Sequence, residues 1–303
     1  APEQQPKDTL TEGTAIRLDR IDLENCRVRY NDRSAKILVD AYGFNYLGKG
    51  AIDKDVFDLE TDAEIDSVDF YYDRIPYLQR KRIRADLITQ INTNSLAFIL
   101  RKNELRINKL PIEFTGKFSI VKEGFDIDLR ASSENSRLKD MLSALPPEYL
   151  KWLDDTDVDG RADVLLTYKG NYRPARKAQP SLGFNMKVRD GRIEYKDAPE
   201  AVKDLNMNLT ARLPQLDMER MEVLLKELDF KLGDDDAFHA FLQTKGLTNM
   251  QVKTAIGGSL DLKLLDDALG VQDIDMRGRL KTDIIAEGIY NAAQKLFPKT
   301  KGS

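Results

Sequence analysis

His239 is the only histidine and Cys26 the only cysteine in 303 residues. Any Ser/His/Asp relay would have to pass through His239. That residue sits in Ala237-Phe238-His239-Ala240-Phe241, an alternating run that reads as a strand, so an ordinary strand histidine is expected. Cys26 alone excludes an intrachain disulfide and leaves the redox compartment open. A zinc site needs three or four ligands and would here consist mostly of carboxylates.

A third pattern, Asp155-Thr156-Asp157-Val158-Asp159-Gly160, matches the D-x-D-x-D-G opening of a calcium loop. The match then fails, because the place of the bidentate Glu falls on Leu166 within Val164-Leu165-Leu166. The counterpart Asp273-Ile274-Asp275-Met276-Arg277-Gly278 carries an arginine at the third ligand place. The expectation is a solvated acidic turn, and a loop tip for Asp234-Asp235-Asp236. Carboxylate pairs for glycoside hydrolysis have no signature in spacing. No catalytic residue, metal ligand or cofactor is therefore expected, and the chain reads as non-enzymatic.

The elements that position these residues are strands. Ile112, Phe114, Gly116, Phe118 and Ile120 occupy alternate positions, as do Phe125, Ile127 and Leu129. Leu182, Phe184, Met186 and Val188 repeat the pattern, and so do Leu205, Met207, Leu209, Ala211 and Leu213. Period two means one apolar and one solvated face. About eighteen strands are expected, among them 14–23, 26–31, 56–66, 68–73, 95–101, 104–109, 181–188 and 191–196. Short connections with turn signals such as Lys122-Glu123-Gly124 and Asp190-Gly191 imply an antiparallel meander. Helices are expected at 134–153, capped by Ser132 or Ser133 and broken at Pro146-Pro147, at 259–269, and at 286–296. Trp152 is expected to pack on the sheet.

Hydrophobic residues make up 41% and charged residues 32%, which suits a folded protein with a charged surface. The 47 basic and 51 acidic residues are interspersed, so there is no electrostatic footprint for nucleic acid. No run of 18 apolar residues is long enough to span a bilayer as a helix.

Sequence matches recur in order. Arg27–Asp32 resembles Arg192–Asp197, and Asn103–Ile107 resembles Lys226–Phe230. Leu138–Leu145 resembles Leu262–Leu269, and Gly160-Arg161 resembles Gly278-Arg279. They imply a duplication. The expected organisation is a disordered lead-in at 1–13, a first β repeat at 14–170, a linker at 171–181 with Pro174 and Pro180, and a second β repeat at 182–303.

Eighteen strands at ~4.8 Å spacing make a face on the order of 1,700 Å², whereas two helices cover ~400 Å². A sandwich, a closed barrel or an apolar trough would resolve the shortfall. Gly191-Arg192-Ile193-Glu194-Tyr195, Leu205-Asn206-Met207-Asn208-Leu209, Ser259-Leu260-Asp261-Leu262 through Leu269, and Met276-Arg277-Gly278-Arg279-Leu280 resemble the AsmA family of bacterial envelope proteins. The resemblance implies a periplasmic protein tethered to the inner membrane by an N-terminal helix. It also implies kinship with bridge-like lipid transfer proteins, whose curled sheet carries acyl chains. No tethering helix stands in these residues, so a soluble part of a longer protein is expected.

The fold expectation is thus mainly β: a long curled antiparallel sheet, a trough or half-pipe of two related repeats, with a few short helices over part of the apolar face. The expected function is binding or conducting lipid acyl chains in support of outer-membrane biogenesis, with other envelope proteins as further partners. Candidate lining residues are Ile112, Phe114, Phe118, Phe125, Ile127, Leu129, Phe184, Met186, Leu205, Met207, Leu209, Phe230, Val252 and Met276. The alternative is a β-sandwich module for carbohydrate or a protein partner, using Tyr42, Tyr46, Tyr71, Tyr72 and Tyr77.

Overall fold

The computed structural model describes residues 19–33, 36–51, 54–147, 153–233, 237–269 and 276–302, without the Lys102 side chain. The protein is mainly β, a single curled antiparallel sheet of fifteen strands in which each strand pairs with its neighbours in sequence. The strands are β1 (Arg20–Asp32), β2 (Ile37–Lys49), β3 (Val56–Tyr72), β4 (Ile75–Asn92) and β5 (Ala97–Ile107). They continue with β6 (Leu110–Val121), β7 (Gly124–Arg137), β8 (Thr156–Tyr172), β9 (Ser181–Tyr195) and β10 (Val202–Leu213). The last are β11 (Glu222–Leu232), β12 (Phe238–Lys245), β13 (Met250–Asp261), β14 (Arg279–Tyr290) and β15 (Lys299–Gly302). At ~4.8 Å per strand the sheet is about 70 Å across. β1 and β15 do not pair with each other, so the sheet is open, and the described residues form no second sheet to make a sandwich.

Two helices lie wholly within the described residues, α1 (Leu138–Leu142) and α2 (Leu262–Leu269), and they follow β7 and β13. In a meander every odd-numbered strand ends at the same margin, so both helices lie along one side of the sheet. We call this the helix margin, and its opposite the open margin.

Several expected strands merge, and the reason is the β-bulge. The breaks foreseen near residues 24–25, 67, 102–103 and 189–190 are interruptions of register inside continuous strands β1, β3, β5 and β9. Asp190-Gly191 is one of these, not a hairpin turn. Asn25, Arg80, Asn135 and Asp190 adopt φ of 48°, 50°, 49° and 49° at such points. Each amide that the bulge takes out of the ladder finds a side chain on the next strand. Asn25 donates to Asn45 Oδ1 (2.8 Å) and Arg80 to Asp69 Oδ1 (2.7 Å). Asn135 donates to Asp163 Oδ1 (2.7 Å) and Asp190 to Asn206 Oδ1 (3.3 Å). Bulges bend a strand and increase its twist, so these positions supply local curvature.

The same device corrects the first helix. The Asn135 bulge carries β7 through Arg137, so Ser132 and Ser133 are strand residues and cap nothing. Helix α1 then starts at Leu138 and has five residues before the proline break; of the second piece expected beyond it, 148–152 lie outside the described residues, and Pro147, Leu153 and Asp154 are helical. Helix α2 begins at Leu262 because Asp261 Oδ1 accepts the Lys263 and Leu264 amides (3.0 and 3.1 Å). The helix expected at 286–296 is instead the end of β14 and a turn into β15, since β14 pairs with β13 along its whole length. The expected linker at 171–181 is the β8–β9 hairpin turn, so the sheet continues through it. The lead-in 1–13, Trp152, residues 234–236 and the strand start at 273–275 lie outside the described residues. The recurring segments fall on β1 and β9, β5 and β11, and α1 and α2, and the duplication itself rests on the sequence.

Asp163 accepts hydrogen bonds from both terminal nitrogens of Arg189 and from the Asn135 amide, tying β7, β8 and β9 together at the bulge. The Arg189 guanidinium, ahead of the Asn135 amide, lowers the Asp163 pKa to about 2. A carboxylate depressed in the folded state stabilises above its unfolded pKa of ~3.9 and loses that contribution as pH falls through the folded value. Arg189→Met should cost about 1–2 kcal/mol at neutral pH, discounted for a pair about one-third exposed. In urea melts the gap between wild type and variant should close between about pH 4 and pH 2.

Candidate functional site: the uncovered half of the apolar face

Partners across an antiparallel pair lie on the same face of the sheet. Following the register from strand to strand therefore traces that face. Leu23, Tyr46, Ala63, Ala85, Leu105 and Ile112 are successive partners across β1 to β6. Ser133, Val164, Met186, Leu209, Leu225, Leu242, Thr254, Ala286 and Thr300 are successive partners from β7 to β15. A second row, nearer the open margin, joins Phe57, Ile91, Phe98, Phe118 and Ile127. The apolar rows thus run along the long axis of the sheet, perpendicular to the strands.

The outer face carries the charges, held as cross-strand ion pairs. Arg84 meets Glu64 (2.8 Å), Lys169 meets Asp128 (2.6 Å) and Lys245 meets Glu222 (2.9 Å). His239 is here too, hydrogen-bonded through Nδ1 to Asp229 and well exposed. The Asp155–Gly160 pattern is a correction. Thr156 to Gly160 belong to β8, so no acidic turn forms. Asp155 pairs with Lys196 (2.8 Å), Asp157 approaches Lys139 and Arg192 (both 3.9 Å), and Asp159 accepts its neighbour's Gly160 amide (2.8 Å).

The inner face divides into two halves. Along the helix margin it is filled. Leu138 and Met141 of α1 pack with Leu110, Val158, Ala162 and Val188, and Ile112, Met186, Leu205 and Met207 border that cluster. Under α2, Val202, Phe230, Leu232, Leu260 and Ala268 form a second cluster. Phe230 is buried against Phe238 at 5.1 Å between ring centroids. Met276 precedes β14, and its amide donates to Asp266 Oδ2 (3.3 Å), so it is off the sheet.

Along the open margin nothing among the described residues lies over the sheet. Phe114, Phe118, Phe125, Ile127, Leu129, Phe184, Leu209 and Val252 are only half-buried, and Leu166 remains 40% exposed. Phe98, Phe118, Phe125 and Tyr172 form a ladder with centroid spacings of 6.3, 5.2 and 5.9 Å. The apolar surroundings raise the Tyr168 pKa through burial. Of the fourteen candidates, these eight line the uncovered half, five belong to or border the helix-covered clusters, and Met276 stands apart. Sequence periodicity does not distinguish the two halves, because both belong to the same strands.

The tyrosines of the alternative reading do not form a flat row: Tyr72 and Tyr77 meet at 62°, and Tyr42 packs under the Arg27 guanidinium at 4.4 Å. No described helix is long and apolar enough to cross a membrane. Comparison with known proteins finds no matching family model, curated protein or solved structure.

Among the described residues one cation is buried at the border between the halves. Lys81 is 2% exposed on the inner face of β4, and its Nζ donates to the Ser143 carbonyl at the end of α1 (2.5 Å). Asn108 Nδ2 donates to the same oxygen (3.2 Å). Burial lowers the Lys81 pKa. A cation at a helix C-terminus satisfies a carbonyl left without an intrahelical partner. Lys81→Met keeps the stem and removes this anchor. The amides of Ser143, Ala144 and Leu145 should then exchange about tenfold faster by hydrogen-exchange mass spectrometry, with a stability loss of about 1–2 kcal/mol.

Proposed function

We propose that this chain is a non-enzymatic lipid-binding protein whose uncovered half-face holds acyl chains along the length of the trough. The observation that carries the reading is the mainly apolar floor, with Ser133, Thr254 and Thr300 as the polar positions of its traced row, kept in register across the sheet and left half-exposed along one margin. Acyl chains need such an apolar lining and no catalytic group. At ~0.8 kcal/mol per buried methylene, about ten methylenes against the floor contribute ~8 kcal/mol before the cost of association. Headgroups can stay in water beyond the open margin. The AsmA-like segments support the rest of the proposal: a periplasmic location, an inner-membrane tether and a role in outer-membrane biogenesis.

Leu209 lies mid-row, opposite Met186 and Leu225. Leu209→Asp should weaken binding of a fluorescent long-chain fatty acid by about tenfold or more. Leu209→Trp, which raises the floor without adding charge, should also reduce binding while the melting temperature holds. The outward Lys187→Gln should leave binding unchanged. A wild-type protein that neither binds the probe nor copurifies with lipid in native mass spectrometry would refute the reading.

A further inference from the structure

An exposed apolar patch lies at the last hairpin, where the trough ends at the open margin. Ile285 and Ile289 are 54% and 48% exposed on the outer face of β14. In the turn that follows, Leu296 is 43% and Phe297 70% exposed. The turn is built, not loose. Asn291 is 4% exposed; its amide donates to the Leu296 carbonyl (3.0 Å), and the Leu296 amide donates back (2.9 Å). Asn291 Nδ2 donates to Asn249 Oδ1 (2.7 Å), pinning this turn to the β12–β13 turn. That second turn adds Leu247, itself 51% exposed, to the same corner. The Tyr290 and Phe297 rings meet edge to face at 5.9 Å.

The charge here is opposite in sign to that of the whole protein. Around the corner itself, Ile285 to Gly302 carries Lys295, Lys299 and Lys301 against Glu287, on a chain of net charge −4. Lys295, Lys299 and Lys301 are exposed and make no ion pair among the described residues, although Lys299 lies opposite Glu287, which approaches Lys253 at 4.0 Å. Lysines on an edge strand also discourage sheet-to-sheet pairing. That role does not explain a phenylalanine held in water by a hydrogen-bonded turn.

We propose that this corner docks the protein onto an anionic lipid bilayer. A few aromatic and aliphatic side chains at a protruding tip, flanked by lysines, suit the headgroup region, where apolar tips insert and ammonium groups meet phosphates. A stable protein partner would engage about 20–30 residues a side, many more than the apolar tips and lysines of this corner. The inference rests on the acyl-binding reading for its purpose. Ala286, Gly288 and Tyr290 alternate along β14 with Ile285 and Ile289, so the trough floor begins on the reverse of the docking strand. A chain leaving the bilayer would meet the floor there.

The test is co-sedimentation of the protein with phosphatidylcholine vesicles, with and without phosphatidylglycerol. Wild type should bind only the anionic vesicles, and binding should fall as salt rises. Phe297→Asp should weaken it by about tenfold or more, and Lys295→Gln or Lys299→Gln by about fivefold each. All three variants should melt as wild type and keep the fatty-acid probe, whereas Leu209→Asp should lose the probe and still dock. A wild type that ignores anionic vesicles, a Phe297→Asp protein that binds as wild type, or self-association at this corner without vesicle binding would overturn the proposal. Loss of probe binding in wild type with docking intact would instead remove only the acyl-binding reading.

Discussion

Antiparallel pairing sets opposing residues on one face, and a period-two sequence sorts apolar from charged residues along each strand. When both hold through successive hairpins, the sorting becomes a property of the whole sheet. A slip of one residue at any hairpin would turn every later strand inside out. The rows from Leu23 to Ile112 and from Ser133 to Thr300 show that none occurs. Everything else in this protein, the covered clusters, the open floor and the charged exterior, depends on that register being carried through.

Bulges are what let so long a meander curl without losing its faces. Each removes a backbone amide from the ladder, and a buried or half-buried amide without an acceptor would cost ~1–3 kcal/mol. Asn45, Asp69, Asp163 and Asn206 answer from the adjacent strand. Short carbonyl-bearing side chains in mid-strand, poor strand formers by propensity, thus serve the bend. Asp163 does so twice, accepting an amide from one neighbour and a guanidinium from the other.

The helices give the trough its asymmetry. Both follow odd-numbered strands, so both cover the same margin, and among the described residues nothing covers the apolar surface of the other margin. The proposed lipid site is therefore a consequence of strand parity, and the proposed docking corner lies at its far end. Lys81 and Asn108, meeting on one carbonyl, mark the line where the covered half begins.

Alternation along the chain was enough to establish a mainly-β protein and the identity of its apolar face, because side-chain direction in a strand follows from position alone. Strand number was not readable, since Asp190-Gly191 has the same composition in a bulge as in a hairpin turn. Nor was the extent of the first helix, because Asn135 prolongs β7 only by virtue of Asp163, distant in sequence. Which candidate residues are covered was likewise settled in three dimensions. Phe230 and Phe184 alternate with polar neighbours in the same way, yet one lies beneath α2 and the other on the uncovered floor. Period two specifies a face; only the packing of distant segments specifies what lies over it.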